Sequence, residues 1–383
     1  MDASERGALS GVAVPQKVKL IFAAYSDYFP GSPPKYDKTI SKGDVFIMGV
    51  TKFAIVGSGW VAGEYLKAIH ARQDSEVYCI VSPNAERAQQ RLNDYGIEAR
   101  VLTSYEQAVS DPNVDAVVLC STPDIRAEQA ALAAKNGKHI VIEKPMTMER
   151  QGLEIMADAI SKNPVKTVVS FVLRWNPMFE STKALIDDDA LGRVYMAQID
   201  YWHHIGPKYV QYSWSKTKEL GGSSILSAGC HAVDAVRHFA GDVTEVMAYS
   251  CRTWADSDYE FDPNSIAIFK MKNGGLGKVS ASIECKTPYR FNVHLLGEKG
   301  TIMDNKVYTH KLPGQLDFAT VPTILPDSGD VSHHPFAIEM ADFMNAIHTN
   351  TTTRCDFFEG YKSMQVSFAI DESCRTGQKV VIL

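Results

Sequence analysis

From Thr51 onward the chain alternates short apolar runs with amphipathic stretches. Phe53-Ala54-Ile55-Val56 is a short apolar run that ends in a glycine turn, and the stretch behind it to Ala71 has helical spacing. Val77 to Val81 reads as a second strand, Ala85 to Tyr95 as a helix, and Ala116 to Cys120 as a third strand. Ala127 to Asn136 follows as a helix stopped by Gly137, and His139 to Ile142 is another buried strand. Strands and helices that alternate with short connections predict a parallel, doubly wound α/β sheet whose ligand lies beyond the carboxyl ends of the strands.

The pattern then changes. Arg193 to Trp202, Val243 to Ser250, Ser265 to Met271, Lys278 to Cys285 and Arg290 to Leu296 have strand composition, and Asn273-Gly274-Gly275 is a hairpin turn. Phe336 to Ile347 and Tyr361 to Arg375 read as helices. Residues 1–47 hold Pro15, Pro30, Pro33 and Pro34, and their apolar stretch Leu20 to Tyr25 is short, so they are expected outside the core. Lys42-Gly43-Asp44 can be encoded by a purine run before Met48, which favours translation starting there. The other reading is a genuine extension that packs on the second domain or on an oligomer contact. The expected division is an extension over 1–47, a nucleotide-binding domain over 48–170 and a substrate and oligomerisation domain over 171–383.

Composition narrows the function classes. A chain of 383 residues suggests two or three domains, and 45% apolar with 22% charged residues can bury a sizeable core. Lys and Arg number 39 against 45 Asp and Glu, a net charge of -6, without the basic excess that nucleic acid calls for. No apolar run approaches the roughly 20 residues that span a bilayer, and the start lacks a secretory pattern, so a cytoplasmic protein without a membrane partner is expected. The seven cysteines (Cys79, Cys120, Cys230, Cys251, Cys285, Cys355 and Cys374) are scattered and never in C-x-x-C, which suits reduced thiols. His203-His204 and His333-His334 are adjacent pairs without helical i, i+4 spacing, so no metal site is expected.

Gly57-Ser58-Gly59-Trp60-Val61-Ala62 has the form of a dinucleotide turn. Gly57 permits the tight turn, Gly59 lets the backbone approach a pyrophosphate, and Ala62 lets the helix sit close to the sheet. The helix N-terminus at Trp60 and Val61 offers free N–H groups to the phosphates. Ser82, Ser121-Thr122-Pro123 and Glu143-Lys144-Pro145 fall at other carboxyl strand ends. Ser82 stands where, about 20 residues past the glycines, a carboxylate would hold the adenosine 2'-hydroxyl and repel a 2'-phosphate. With Asn84 nearby and Arg87 one helical turn on, NAD(P) is expected with NADP favoured. The competing view of Asn84 is a helix cap and of Arg87 a solvated charge.

Taken together, these residues resemble the Gfo/Idh/MocA family of nicotinamide-dependent oxidoreductases, which includes inositol dehydrogenases and glucose-fructose oxidoreductase. The likeness runs from about Lys52 to the C-terminus. It rests on Gly57 to Ala62, Ser121 to Pro123, Gly137-Lys138-His139 leading to Glu143-Lys144-Pro145, Arg174-Trp175-Asn176-Pro177, and Gly221-Gly222 running into His231-Ala232-Val233-Asp234. It implies an N-terminal Rossmann domain and a C-terminal α/β domain with a large, open, mostly antiparallel sheet, often used to form dimers or tetramers. It also implies that Lys144 sits beside the nicotinamide and the reacting hydroxyl, after a peptide bond to Pro145 that is often cis, and that His231 is the catalytic histidine.

Arg174 and Asn176 match positions near cofactor and substrate and could donate to hydroxyl oxygens, the other reading of Arg174 being a structural ion pair, and Tyr201, His203, His204, Tyr212 and Trp214 could pack a sugar ring or an interface. Many members have an aspartate four residues before the histidine, whereas this chain has Ser227, so either His231 is less basic or Asp234, three residues on, takes part of that role. The resemblance implies a dehydrogenase of a sugar, glycoside or polyol. Two further readings are a redox-neutral, nicotinamide-dependent hydrolase or lyase of glycosides and a nucleotide-sensing regulator.

Overall fold

A computed structural model describes residues 49–326 and 334–382, so the expected extension over 1–47 and the start at Met48 lie outside the described residues. The first sheet contains, among the described residues, six strands: β1 (Thr51–Val56), β2 (Ser75–Val81), β3 (Arg100–Leu102), β4 (Ala116–Leu119), β5 (His139–Ile142) and β6 (Thr167–Val169). They are all parallel in the order β3-β2-β1-β4-β5-β6, so the order in which strands are added to the sheet reverses between β1 and β4. Ile55, Val117, Val118, Val141 and Ile142 are fully buried, as apolar runs covered on both faces must be. The layers come from α1 (Trp60–His70), α2 (Ala85–Asp94), α3 (Tyr105–Ser110), α4 (Arg126–Lys135) and α5 (Arg150–Lys162).

Register decides what this sheet can do. Val56 pairs with Val81 and Leu119, Leu119 with Ile142, and Ile142 with Val169. The residues that follow each strand, Gly57, Ser82, Cys120, Glu143 and Ser170, therefore leave the sheet along one edge. The strands β3 and β6, three residues each, and the six-residue α3 were not predicted because so few residues show no period.

The second sheet has, among the described residues, nine strands. They are β7 (Val194–Trp202), β8 (Val243–Cys251), β9 (Asn264–Met271), β10 (Leu276–Ser282), β11 (Arg290–Gly297), β12 (Gly300–Met303), β13 (Lys306–Thr309), β14 (Ala319–Thr320) and β15 (Val380–Val381). Every pairing is antiparallel except β7 with β10. Gly274 supplies the positive φ of +82° that the β9–β10 hairpin needs. The helices α6 (Pro177–Asp187), α7 (Tyr212–Ser215), α8 (Cys230–Ala240), α9 (Phe336–Thr349) and α10 (Phe357–Thr376) complete the set.

α8 and α10 cover one face of the second sheet, with Val233, Val236, Val366 and Ile370 joining Ala267 and Val279 in its core. The other face is open, and Ile266 and Ile268 of β9 alternate with buried Ala267 and Phe269. α9 returns to the first sheet, where Phe336 packs edge-on against Tyr65 of α1 at 5.1 Å and Phe343 lies 6.3 Å from Phe53. The stretch expected in the second domain thus also supplies core to the first sheet.

Candidate active site

The edge of the first sheet fits a dinucleotide. Gly57 has φ +110°, and a Cβ there would lie 2.8 Å from the carbonyl oxygen of Cys120, so only glycine passes between β1 and β4. A Cβ on Gly59 would meet nothing within 4 Å. The helix behind it, α1, begins at Trp60 and Val61 with no side-chain cap and no acidic residue in its first turn. Free N–H donors therefore face open space at the positive end of a helix, which suits a pyrophosphate.

The end of β2 departs from expectation. The Ser82 hydroxyl is buried, pairs with the Ser58 hydroxyl at 3.1 Å and accepts from the Asn84 N–H at 3.2 Å. Asn84 Oδ1 accepts from the Arg87 N–H at 2.8 Å and caps α2. Both side chains expected to face the adenosine ribose are thus engaged by the turn itself, while Arg87 is exposed.

Between β4 and β5 stands a residue that sequence reasoning missed. Arg126, only 5% exposed, donates to Ser121 O from Nε (2.9 Å) and Nη2 (2.5 Å), and from Nη1 to Glu143 O (3.0 Å) and Pro145 O (2.5 Å). It ties the Ser121-Thr122-Pro123 loop to the turn that carries Lys144. A cation in the first turn of a helix opposes the helix dipole, and that oddity was the one available signal. Ser121 also donates from Oγ to Gln129 at 2.6 Å, and Pro123 is buried.

Glu143 points inward rather than toward a ligand. It accepts from the Tyr65 hydroxyl at 3.1 Å and from the Lys144 N–H at 3.0 Å. Burial raises its pKa, against the opposing pull of Arg126 and Lys144. Ser170 and Glu339 of α9 complete the cluster, and burial beside Glu143 holds Glu339 protonated well above the usual carboxyl range. The Lys144–Pro145 bond is cis, as the resemblance implied.

His231 lies near the start of α8, after a π-helical turn over Ile225–Gly229 that carries the partly buried Ser227. Burial first, then the charge of Lys144 and the neighbouring His334, hold its pKa well below the usual value, so its imidazole is neutral at pH 7. Burial and Lys144 likewise push His203 down to about 4. One ammonium therefore acts on both imidazoles.

Three expected substrate contacts are spent elsewhere. Arg174 and Asp234 form a buried bidentate pair, Nε to Oδ2 and Nη2 to Oδ1, both 2.7 Å. Arg174 also donates to Arg354 O, and Asp234 accepts from Ser363, so Asp234 does not support His231. Once buried, each charge must be neutralised by the other, which overrides any role at a ligand. Asn176 is 1% exposed and accepts from the Met178 N–H at 2.9 Å, capping α6.

Tyr201 and His203 are buried, and the Tyr201 hydroxyl pairs with His203 Nδ1 at 3.0 Å. Trp214 stands on the single-turn α7 with 36% of its surface exposed. Among the described residues no group of three or more His, Cys, Asp or Glu is placed to hold a metal ion, and no helix is long and apolar enough to cross a membrane.

Comparison with known proteins agrees with this geometry. Residues 51–171 match the Gfo/Idh/MocA oxidoreductase family with an NAD-binding Rossmann fold, and residues 179–303 match the family's C-terminal domain. The chain is 24% identical over 332 residues to D-xylose 1-dehydrogenase (NADP(+)) 2 of Haloferax volcanii, covering 86% of this chain and 98% of that protein. It is 21% identical to scyllo-inositol 2-dehydrogenase (NAD(+)) of Bacillus subtilis, covering 85% of this chain and 95% of that one. A solved structure of levoglucosan dehydrogenase with NADH superposes with a TM-score of 0.79 at 22% identity, covering 87% of this chain and 99% of that one.

Proposed function

Since the chain belongs to the Gfo/Idh/MocA family of oxidoreductases, we propose that it is an NAD(P)-dependent dehydrogenase acting on a secondary hydroxyl of a sugar, glycoside or polyol. The observation that carries this reading is the shared neighbourhood of Lys144 and His231, where the lysine's charge helps to keep the imidazole neutral. A neutral imidazole can take a proton, and an ammonium can hydrogen-bond the carbinol oxygen and stabilise negative charge there.

A bound nicotinamide would supply hydride acceptance or donation at the carbinol carbon. Gly57, Gly59, Trp60 and Val61 would hold its pyrophosphate at the α1 N-terminus, and the Ser121-Thr122-Pro123 loop and the Glu143-Lys144-Pro145 turn would line the rest of its site. Lys144 orients and polarises the substrate oxygen, and His231 receives the hydroxyl proton. Tyr201, His203 and Trp214 lie on the segment that would meet the sugar ring. NADP is the favoured cofactor, because Ser82 stands in place of a carboxylate and Arg87 is exposed to meet a 2'-phosphate. The relatives' printed names, a xylose and an inositol dehydrogenase, support a carbohydrate substrate.

The division at residues 170/171, a cytoplasmic location and a homodimer or homotetramer belong to the same proposal. The open sheet face with Ile266, Ile268 and Leu276, each more than half exposed, supports self-association.

Reduced-nicotinamide absorbance tests the reading, using NAD and NADP separately, a panel of sugars, glycosides and inositols, and Lys144→Ala as control. Substrate-dependent reduction that the control lacks is expected, and faster with NADP. Glycoside cleavage with no net reduction would transfer the assignment to redox-neutral chemistry. Nucleotide binding with neither outcome would transfer it to a sensor.

A further inference from the structure

The imidazole of His231 has an unusual environment for a proton acceptor. Its Nδ1 is buried without a partner, and among the described residues neither ring nitrogen makes a hydrogen bond. Ser227, one helical turn earlier, carries no charge, and the carboxylate three residues later is spent on Arg174. A histidine that exchanges protons with a substrate must hold its ring plane, yet among the described residues no hydrogen bond sets that plane.

What surrounds the ring is aromatic. The Tyr201 ring lies nearly parallel to it, 14° apart with centroids at 6.2 Å, and Phe171 meets it edge-on at 6.0 Å. Such contacts are weak singly and fix an orientation only if the partner ring is itself immobile. Tyr201 is immobilised twice. Tyr289 and Phe291 pack perpendicular to its ring, at 5.5 and 6.1 Å.

The Tyr201 hydroxyl is the second tie. It pairs with His203 Nδ1 at 3.0 Å, and His203 Nε2 pairs with the Tyr209 hydroxyl at 2.8 Å. A neutral imidazole has one donor and one acceptor nitrogen, so His203 satisfies both phenols only as a bridge in which one phenol donates and the other accepts. His203 is 7% exposed and sits between Tyr209 and Tyr289, with ring centroids at 5.3 and 4.9 Å.

We infer that Tyr209, His203 and Tyr201 form a brace that sets the ring plane of His231, with His203 as the positioning residue that acts through Tyr201. Among the described residues both His231 nitrogens are thereby left without a hydrogen-bond partner. The brace rests on the reading of His231 as the proton acceptor, and it assigns His203 and Tyr201 to orientation rather than to direct contact with the reacting hydroxyl.

The test compares His203→Leu, His203→Gln and Tyr201→Phe by kcat, KM and thermal melting, using the substrate that reduces nicotinamide in wild type. Leucine keeps the bulk and removes both hydrogen bonds, whereas glutamine can still accept from one phenol and donate to the other. The expected result is about a tenfold loss of kcat in His203→Leu with KM within twofold, a similar loss in Tyr201→Phe, and recovery of most of the activity in His203→Gln. Wild-type kcat in folded His203→Leu would overturn the brace. So would a Gln variant as impaired as the Leu variant at equal melting temperature, or a loss that resides in KM alone. If His203→Leu fails to fold, Tyr201→Phe, which keeps the stacked ring, decides by the same kcat criterion. Absence of nicotinamide reduction by the wild type would instead refute the dehydrogenase reading, a result separate from any variant's behaviour.

Discussion

The two halves of the active site are held by different forces. On the first sheet, the turn bearing Lys144 is fastened by directional bonds, with one buried guanidinium donating to carbonyls of Ser121, Glu143 and Pro145. On the second, the His231 ring is flanked by other rings and its buried Nδ1 has no hydrogen-bond partner among the described residues. Hydrogen bonds fix a position through distance and angle, so they suit a turn that must present an ammonium at a set height. Packing fixes a plane without occupying nitrogen lone pairs, so it suits a base whose nitrogens must stay available.

The strongest way to break this contrast is to remove its endpoints. Lys144→Ala and His231→Ala should each lower kcat by about 10²–10⁴-fold, measured as nicotinamide reduction, with cofactor retained by equilibrium binding. Next, Asp234→Ala would strip the buried Arg174 of its bidentate partner, leaving it the Arg354 carbonyl and Glu359 at 3.9 Å. A loss of about 3–5 kcal/mol in urea unfolding is expected, and wild-type stability would mean the pair does not anchor that helix.

Arg126→Met tests the directional side. The variant should fold, because methionine occupies much of the same volume, but the Lys144 turn and the Ser121 loop lose their common tie. A displacement on the order of 1 Å at a reacting group costs about 10²-fold, so kcat should fall by roughly 10–100-fold. A kcat equal to wild type would show that the turn holds itself.

Acid stability sharpens the contrast further. His203 has a folded pKa of about 4 against about 6.5 when unfolded. The unfolded chain therefore binds more protons between those values, and stability falls as pH drops through that window by up to about 1.4 kcal/mol per pH unit for this group. His231, shifted in the same direction, adds to the loss. Urea midpoints at pH 7 and pH 5 measure it, and Lys144→Ala should shrink the difference because it removes one of the depressing charges. The smallest effect belongs to Asn84→Ala, which should cost about 1 kcal/mol as a lost helix cap and leave NADP affinity unchanged. Loss of NADP affinity alone would restore Asn84 as a cofactor contact.

Much of the architecture was legible along the chain. The apolar run before Gly57, the His139–Ile142 strand and the Asn273-Gly274-Gly275 hairpin all stand where expected, because strand burial and turn geometry are imposed within a few residues. The motif positions also marked the right edge of the sheet, since a glycine that must pass beside Cys120 O leaves a local signature. Short elements such as β3 and β6 left too few residues to show a period.

The partners of polar side chains were a different matter. Arg174 and Asp234 were expected at the substrate, and they find each other across 60 positions of sequence. Asn176 and Asn84 were expected at ligands and are helix caps, a role that sequence spacing allowed but could not select. Tyr65 meets Glu339 from 274 positions away, and Arg126 has three carbonyl partners that belong to two strand ends.

Local pattern therefore sufficed for strand, turn and helix, and for which edge of the sheet would carry the chemistry. Assembly alone decided which charges neutralise one another and which imidazole is held by rings rather than by hydrogen bonds among the described residues. Periodicity and turn preference act between neighbours in sequence, whereas a polar group taken out of water must accept a partner from whatever the packed chain brings beside it, and that choice does not exist until both sheets are in place.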